Sequence, residues 1–173
     1  KIIKDIYKIL KSENVLAHKD EIKPYETDAL TAYRQTPLVV VLPETVSEVS
    51  RILKYCNENK IRIVPRGAGT GLTGGALPLK DSVLLSMGKF NKILEIDYKN
   101  KCVVAQPCVT NLSITNAVKD NNFYYAPDPS SQIACSIGGN VAANSSGVHS
   151  LKYGATTNNL LGIQVVLMDG SIV

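Results

Sequence analysis

The residues best suited to bind a ligand form a glycine-rich loop, PRGAGTGLTGG, at residues 65–75. The loop directly follows an apolar segment typical of a buried strand, and it contains five glycines and one cation, Arg66. A glycine-dense turn exposes successive backbone N–H groups, and it lets a ligand approach closely because no Cβ intervenes. The loop therefore predicts a binding site for an anion such as a phosphate, with a flexible hairpin connection as the alternative.

Two familiar nucleotide-binding motifs share this spacing but do not fit. Gly69, Gly71 and Gly74 match G-x-G-x-x-G, yet that fingerprint needs a helix directly after the loop. Here Pro78 and an apolar strand follow instead. The loop also mimics the start of a P-loop, but it lacks the Lys and the Ser or Thr that must come next. A Rossmann site and nucleoside triphosphate hydrolysis are both disfavoured.

A second candidate site is a stretch without any charged residue, from Pro129 to Leu151. It overlaps the segment PDPSSQIACSIGGNVAANSSG at residues 127–147, in which prolines fix a corner, a glycine pair permits close backbone approach, and Ser and Asn offer neutral donors and acceptors. Two glycine-bearing segments that are poor in charge suit a ligand with an anionic middle and long neutral ends. A dinucleotide cofactor has that shape.

Composition disfavours several other classes of protein. The net charge of +4, from 19 Lys and Arg against 15 Asp and Glu, is scattered and alternates in sign, which indicates solvated surface rather than a nucleic-acid footprint. No apolar run approaches the roughly 20 residues of a transmembrane helix, and the N-terminus has no apolar signal core. A structural zinc is disfavoured, because no ligand-like spacing joins the residues Cys56, Cys102, Cys108, Cys135, His18 and His149. The thiols are expected to be reduced, because the sequence shows no signal peptide.

Hydrophobic patterning predicts an α/β fold that begins with a small parallel lobe. Apolar residues at helical spacing predict an amphipathic helix from Lys1 to about Ala17. A buried strand follows in LVVVLP, then a helix over Thr45 to Lys60, a strand over Ile61 to Pro65, and a further strand in DSVLLSM. This order predicts a β-α-β unit with parallel strands.

The remainder of the chain predicts a second lobe of different texture. ILEID and CVVAQP read as strands joined by the turn YKNK, and a helix is expected around Asn111 to Lys119, followed by FYYAPDP. Asp169 and Gly170 predict a tight hairpin turn, after which only three residues remain. We therefore expect Leu161 to Met168 to form an open strand edge, and the chain to be a fragment of a longer protein.

Several motifs in order resemble one known family. PRGAGTGLTGG, ILEID, VVAQP, PDPSS, IGGN, NSSG, the YG pair and VVLMDG are similar to the FAD-binding domain of the vanillyl-alcohol oxidase and p-cresol methylhydroxylase (PCMH-type) superfamily. Within it the chain most resembles the FAD-linked D-2-hydroxyacid dehydrogenases, such as glycolate oxidase catalytic subunits and D-lactate dehydrogenases. The resemblance implies a PCMH-type fold: an entry segment at 1–36, a β-α-β lobe at 37–91, and a mixed or antiparallel lobe with helices at 92–173, truncated at its C-terminus.

The resemblance also implies FAD held between the two lobes. By position, the pyrophosphate loop is Arg66, Gly67, Ala68, Gly69, Thr70 and Gly71. The other wall is Pro127, Ser130, Ser131, Gly138, Gly139, Asn140, Asn144 and Gly147, with Tyr153 and Gly154 nearby. Non-covalent FAD is expected, because Thr70 stands where members with tethered flavin carry His, although attachment at Cys135 stays open. The chain departs from the family at Cys108, where Gly is usual, and this puts a cofactor contact there in doubt.

The implied function is oxidation of a small D-2-hydroxy acid, glycolate or D-lactate, to the 2-oxo acid, with hydride transfer from C2 to flavin. The implied location is cytoplasmic, with partner subunits or another electron acceptor and with peripheral association at the inner membrane left open; no nucleic acid and no transmembrane segment are expected. Catalytic residues are expected beyond Val173. We favour structural roles for His149, Tyr124 and Tyr125 over contacts to flavin.

Two alternatives stay open. The first is another reaction on the same fold, such as that of a sugar or lignan oxidase, an ether-lipid synthase or UDP-N-acetylenolpyruvoylglucosamine reductase. The second is a non-catalytic nucleotide-binding or assembly subunit. Residues beyond this chain distinguish the first, and the presence of flavin distinguishes the second.

Overall fold

A computed structural model describes all 173 residues, which form two compact units. The first unit comprises Lys1–Lys89 together with Gln164–Val173, and the second comprises Phe90–Ile163. The sequence analysis placed residues 92–173 in one lobe, whereas residues 164–173 belong to the first unit of the structure. The predicted division of the chain into two cofactor-binding lobes stays a prediction.

Regular structure consists of short helices and strands. The helices are α1 (Ile2–Ile6), α2 (Lys19–Ile22), α3 (Val46–Glu58), α4 (Asn111–Val118), α5 (Ile137–Ala143) and α6 (Ser150–Tyr153). The strands are β1 (Val15–Leu16), β2 (Val39–Val41), β3 (Ile63–Arg66), β4 (Val83–Ser86), β5 (Ile93–Asp97) and β6 (Cys102–Ala105). Single 3₁₀ turns occupy Ser12–Asn14, Lys23–Tyr25, Lys119–Asn121 and Thr156–Asn159.

The first unit is built on a four-stranded sheet in the order β1-β2-β4-β3. β4 pairs in parallel with both β2 and β3, while β1 is antiparallel to β2. Every residue of β2 and β4 is buried, as expected for parallel strands that are covered on both faces. The predicted parallel strands are therefore confirmed.

The residues at the start of helix α3 explain why the helix begins at this point. The Thr45 side chain accepts a hydrogen bond from the backbone N–H of Glu48, and the Glu48 carboxylate accepts one from the backbone N–H of Thr45. This capping box satisfies N–H groups that have no partner within the helix. Its buried face is apolar and comprises Val49, Ile52, Leu53 and Cys56.

The N-terminal segment differs from its prediction. The expected long helix ends at Ile6, and Val15 and Leu16 pair as an edge strand with Val41 and Val40. The apolar residues that suggested helical spacing still reach the core, since Ile6 and Leu10 are buried. Pairing with β2 supplies partners for backbone groups of Val15 and Leu16 in their extended conformation.

The second unit contains the antiparallel pair β5-β6, whose register shifts between Ile93 and Glu95. The turn between these strands carries Lys101 in the left-handed region, at φ 56°. FYYAPDP forms no strand, and part of the uncharged stretch forms α5. Helix α5 is capped by the Ser136 hydroxyl, which accepts from the N–H of Gly139.

The predicted hairpin turn is present, but the predicted strand before it is wrong. Val165 and Val173 exchange backbone hydrogen bonds of 2.8 and 2.9 Å, and Gly170 occupies the turn at φ +86°. The Ser50 hydroxyl of α3 donates to the Gly170 carbonyl. The hairpin therefore belongs to the first unit, and residues 161–168 do not form the expected open strand.

A charged cluster ties the N-terminal segment to the sheet. Lys89 donates to Asn14 and to Glu44, and Lys11 donates to the same Glu44 carboxylate at 2.9 Å. The hydrogen bond from Lys89, followed by that from Lys11, lowers the pKa of Glu44 to about 2. Because the folded-state pKa lies below the ordinary value of 4.5, Glu44 stabilises the fold above that pH and loses its effect as pH falls toward 2.

We predict that Glu44→Gln lowers stability at pH 7 and that the difference from wild type shrinks between about pH 4.5 and 2. Urea midpoints measured across this range check the prediction. Glu58→Gln is the matched control, because Glu58 is exposed and forms no ion pair, and it should leave the profile unchanged. A difference at pH 7 that persisted at pH 2 would contradict the ion-pair origin.

Candidate functional site

The glycine loop starts at the carboxyl end of β3 and is shaped by two glycines with positive φ. Gly69 has φ +73° and Gly74 has φ +78°, torsions that residues with a Cβ adopt only at a cost. The Gly69 carbonyl accepts a hydrogen bond of 2.9 Å from the N–H of Ala29. The loop is therefore held to the segment that precedes β2.

Arg66 supports this loop from beneath. Its Nη1 donates to the carbonyl of Thr27 at 2.7 Å and to that of Ala76 at 3.4 Å, and its guanidinium lies 5.8 Å from the centre of the Tyr25 ring. A Cβ placed on Gly69 would collide with the guanidinium. Arg66, at the start of the loop, thus holds the end of the loop at Ala76 and the earlier segment at Thr27.

Arg66 is also partly desolvated. Burial lowers the pKa of its guanidinium, and the nearby Asp28 carboxylate acts in the opposite direction. Asp28 is itself buried, with Oδ1 accepting from the N–H of Leu30 and Oδ2 without a partner. The Arg66 charge is thus balanced from within the unit.

The part of the loop beyond Gly69 fits a phosphate ligand. The backbone N–H groups of Gly69, Thr70 and Gly71 donate to no protein acceptor. Gly71 is exposed, and a Cβ built on it would meet nothing within 4 Å. Open space next to unused donors is the arrangement that an anion-binding loop requires. Gly67 is half-buried and Ala68 is exposed at the start of the same loop.

Three glycines of the second unit serve packing within the protein. A Cβ on Gly138 would lie 2.7 Å from Cβ of Pro107, and one on Gly154, at φ +78°, would lie 2.5 Å from the Asn158 side chain. A Cβ on Gly147 would collide with the backbone carbonyl of Asp128. Their predicted close approach is therefore made to the chain itself. Gly139 is exposed in the first turn of α5.

The polar residues of the second unit that are predicted to contact the cofactor differ in how exposed they are. Asn140 is buried and its Nδ2 has no partner, so one donor is available beside α5. Asn144 is exposed and its Oδ1 accepts from both the backbone and the hydroxyl of Thr157. Pro127 is buried, with its carbonyl accepting from Asn111, whereas Ser130 is exposed and Ser131 is half-buried.

Asp128 holds the segment that follows Asn144. Its Oδ2 lies 2.8 Å from Nδ1 of His149, and its Oδ1 accepts from the backbone N–H of His149 at 3.3 Å. The side chain of Asp128 is 14% exposed and that of His149 is 49% exposed. Asp128 was not singled out from the sequence, although it is the last charged residue before the uncharged stretch.

Two tyrosines accompany His149. The ring centroids of Tyr124 and His149 are 5.8 Å apart, and those of Tyr124 and Tyr153 are 6.1 Å apart in an edge-to-face arrangement. A hydrogen bond between the tyrosines raises the pKa of Tyr124 and lowers that of Tyr153, and Lys152 lowers the latter further. The cluster is exposed, so Tyr124 does not lie in the core.

Other candidate chemistry finds no support in the geometry. Burial raises the pKa of Cys108 to about 11, which keeps the thiol neutral near pH 7. Cys108 has an ordinary negative φ, so it accommodates a side chain where the family usually has Gly. No group of three or more His, Cys, Asp or Glu could hold a metal ion, and no helix is long and apolar enough to cross a membrane.

Comparison with known proteins identifies the class. The family described as FAD binding domain matches residues 37–173, so this chain belongs to that family. The match confirms the predicted cofactor, FAD. Substrate-bound p-cresol methylhydroxylase superposes with a TM-score of 0.83 at 26% identity, covering 99% of this chain and 34% of that one, which confirms the PCMH-type fold. An alkyldihydroxyacetonephosphate synthase, at 20% identity and a TM-score of 0.86, shares the fold; 99% of this chain and 33% of that chain are covered.

Two named proteins of similar sequence show which kinds of protein this chain resembles. The chain is 56% identical over 156 residues to glycolate oxidase subunit GlcD of Escherichia coli (strain K12), covering 90% of this chain and 31% of that protein. It is 32% identical over 164 residues to a probable mitochondrial D-2-hydroxyglutarate dehydrogenase of Oryza sativa subsp. indica, covering 95% of this chain and 29% of that protein. The chain thus spans about a third of the length of these relatives.

The structure brings the predicted loop residues together in the first unit and the other predicted contacts in the second. Their assignment to FAD stays a prediction. The bridging role of Arg66 and the Asp128–His149 pair were missed by the sequence analysis, because their partners lie 10 to 39 and 21 residues away along the chain.

We predict that Gly69→Ala and Gly71→Ala have different effects. At Gly69, a Cβ at positive φ should cost about 1–2 kcal/mol of stability without any ligand. At Gly71, a Cβ enters open space, so stability should hold while affinity for FAD falls roughly tenfold, or about 1.4 kcal/mol. Chemical unfolding of the apoprotein and flavin fluorescence titration measure the two quantities.

Gly162→Ala is the control for these substitutions, because a Cβ there also meets nothing within 4 Å and Gly162 lies outside the candidate site. It should change neither quantity. If Gly71→Ala kept wild-type affinity for FAD, the loop would not be the phosphate site.

Proposed function

We propose that this chain is the FAD-binding part of a flavoprotein that oxidises a small D-2-hydroxy acid, such as glycolate or D-lactate, to the 2-oxo acid. The observation that carries the proposal is the 56% identity to a glycolate oxidase subunit over 90% of the chain, within an FAD-binding fold. The similarity to a D-2-hydroxyglutarate dehydrogenase supports the same class of substrate. When bound, FAD supplies the acceptor for the hydride from C2 of the acid.

In this proposal the backbone of Gly69, Thr70 and Gly71 binds the pyrophosphate, since these N–H groups are free of protein acceptors. Arg66 positions the loop through its bonds to Thr27 and Ala76. A guanidinium that holds two backbone carbonyls stabilises a loop that has almost no side chains of its own. The loop is thereby preorganised for an anion.

The neutral groups of the second unit suit the uncharged parts of FAD. The unpartnered Nδ2 of Asn140 is a buried donor that a cofactor oxygen would satisfy, and such groups are otherwise costly. Ser130 and Ser131 present hydroxyls from the corner fixed by the prolines. These neutral groups suit the ribityl and adenosine parts of FAD better than its phosphates.

The same proposal covers the cellular setting. Since a relative is described as a subunit, partner subunits are expected, and a partner or another acceptor would receive the electrons. We propose a cytoplasmic protein that associates with the inner membrane only through such partners.

We predict that FAD is bound without a covalent bond. Thr70 offers no imidazole for tethering, and Cys135 is 2% exposed, which buries its thiol. Acid precipitation of the purified complete protein should leave yellow FAD in the supernatant. Flavin on the precipitated wild-type chain, lost in Cys135→Ser, would show attachment at Cys135 instead; a protein free of flavin would favour the non-catalytic alternative.

We further predict that the FAD-loaded complete protein reduces an artificial dye with glycolate or D-lactate and does so far more slowly with L-lactate. Dye reduction under anaerobic conditions measures this. Reduction by neither D-2-hydroxy acid in a fully flavin-loaded sample would contradict the proposed substrate class while leaving FAD binding intact.

A further inference from the structure

A buried carboxylate lies next to the glycine loop, and the fold of its own segment does not explain its charge. Asp28 is 4% exposed, with Oδ1 accepting a hydrogen bond of 2.9 Å from the N–H of Leu30 and Oδ2 without a partner. An asparagine makes the same turn without a charge. Because a buried carboxylate is costly unless it is compensated, the charge of Asp28 requires a reason outside this turn.

The residues on either side of Asp28 attach it to the loop. The carbonyl of Thr27 accepts a hydrogen bond from Nη1 of Arg66 at 2.7 Å, and the N–H of Ala29 donates to the carbonyl of Gly69 at 2.9 Å. The Thr27 hydroxyl also donates to the carbonyl of Tyr33, which closes the segment around Asp28. Two hydrogen bonds to the loop, one from each neighbour, therefore hold the carboxylate beside the Arg66 guanidinium.

The Asp28 carboxylate cancels the only formal charge of the loop. Arg66 is the one charged residue in 65–75, and it is half-buried, so its charge is only partly screened by water. With Asp28 beside it, the sum of the two charges is zero. The N–H groups of Gly69, Thr70 and Gly71 remain unused by protein acceptors. The loop therefore attracts an anion through backbone dipoles and not through a net positive charge.

A loop without net charge distinguishes poorly charged from highly charged phosphates. A net positive charge favours a ligand more strongly with every negative charge that the ligand adds, whereas dipoles in a fixed nest reward a fitting geometry. A diester phosphate carries about one negative charge, while a terminal phosphate carries about two at pH 7. An uncompensated Arg66 would therefore favour nucleoside di- and triphosphates over a dinucleotide, whose two phosphates are both diesters.

We propose that Asp28 determines the specificity of the glycine loop: by cancelling the charge of Arg66, it makes the loop select the pyrophosphate diester of a dinucleotide over the terminal phosphates of nucleoside di- and triphosphates. This rests on the proposed function, in which the loop binds the pyrophosphate of FAD. Asp28 acts through Arg66 and makes no contact with the ligand. Its carboxylate is thus a positioning and charge-balancing group, buried where water cannot weaken its effect on the guanidinium.

The first test compares ADP-ribose with ADP as competitors of FAD on the apoprotein of the complete protein. Both probes carry the adenosine and pyrophosphate of FAD, but only ADP has a terminal phosphate. Asp28→Asn keeps an acceptor for the N–H of Leu30 and removes the charge. The affinity for ADP relative to ADP-ribose should rise roughly threefold, the Coulomb effect of one further charge pair several ångströms apart in a water-like dielectric. A loss of packing alone would weaken both probes and leave their ratio unchanged.

Asp81→Asn is the matched control, because it removes the same charge from the same unit at a side chain that is 64% exposed and lies 3.5 Å from Arg62. Its ratio of affinities should equal that of wild type. Thermal melting of each variant checks folding, and Asp28→Ser provides a second uncharged acceptor if Asp28→Asn melts early. A wild-type ratio in the folded Asp28 variants would overturn the proposal.

A second test needs no variant. Wild type should bind ADP no more tightly than ADP-ribose, and the ratio of the two affinities should stay constant as salt is raised, because salt screens only a net charge. Tighter binding of ADP, with an advantage that fades at high salt, would show an uncompensated cation and overturn the proposal. Failure of FAD to bind at all would instead contradict the proposed function, so the two failures are distinguishable.

Discussion

The parallel pairing of β4 between β2 and β3 is the constraint on which the candidate loop depends. β3 ends at Arg66, which pairs with Ser86 at the end of β4, so the chain must return the full length of the strand before β4 begins. Parallel neighbours need a long connection, and residues 67–82 make it without a helix. Glycine-rich backbone therefore leaves the sheet at its carboxyl edge, where ligands bind in open α/β sheets.

A loop built mainly of small residues cannot hold its own shape, and this explains the position of Arg66. One planar guanidinium reaches the carbonyls of Thr27 and Ala76 and fills the space beneath Gly69. Both hydrogen bonds come from Nη1, and a lysine ammonium has the same charge but lacks the planar guanidinium that fills the space beneath Gly69. The cation that sequence reasoning assigned to the ligand is thus already engaged, and backbone N–H groups remain as the donors for an anion.

The sequence predicts most of the first unit because its signals are local. The continuous apolar run of β2 and the capping residues Thr45 and Glu48 each determine structure within a few positions. The N-terminal segment was mispredicted because its outcome depends on pairing with Val41, which lies 26 residues beyond Val15. The glycines show the same limit: Gly71 and Gly147 look alike in sequence, but only the structure shows open space beside one and a carbonyl beside the other.

The uncharged stretch gains its order from a charge that lies just outside it. Asp128 is mostly buried, and a buried carboxylate is costly unless donors surround it. The N–H and Nδ1 of His149 supply those donors, and the missing side chain of Gly147 gives the room for them. Since each partner satisfies the other, removing either leaves an uncompensated polar group, and their single substitutions should not be additive. The pair therefore serves order in this segment even without a ligand, and the same two hydrogen bonds that provide that order leave Nε2 as the one unused ring nitrogen.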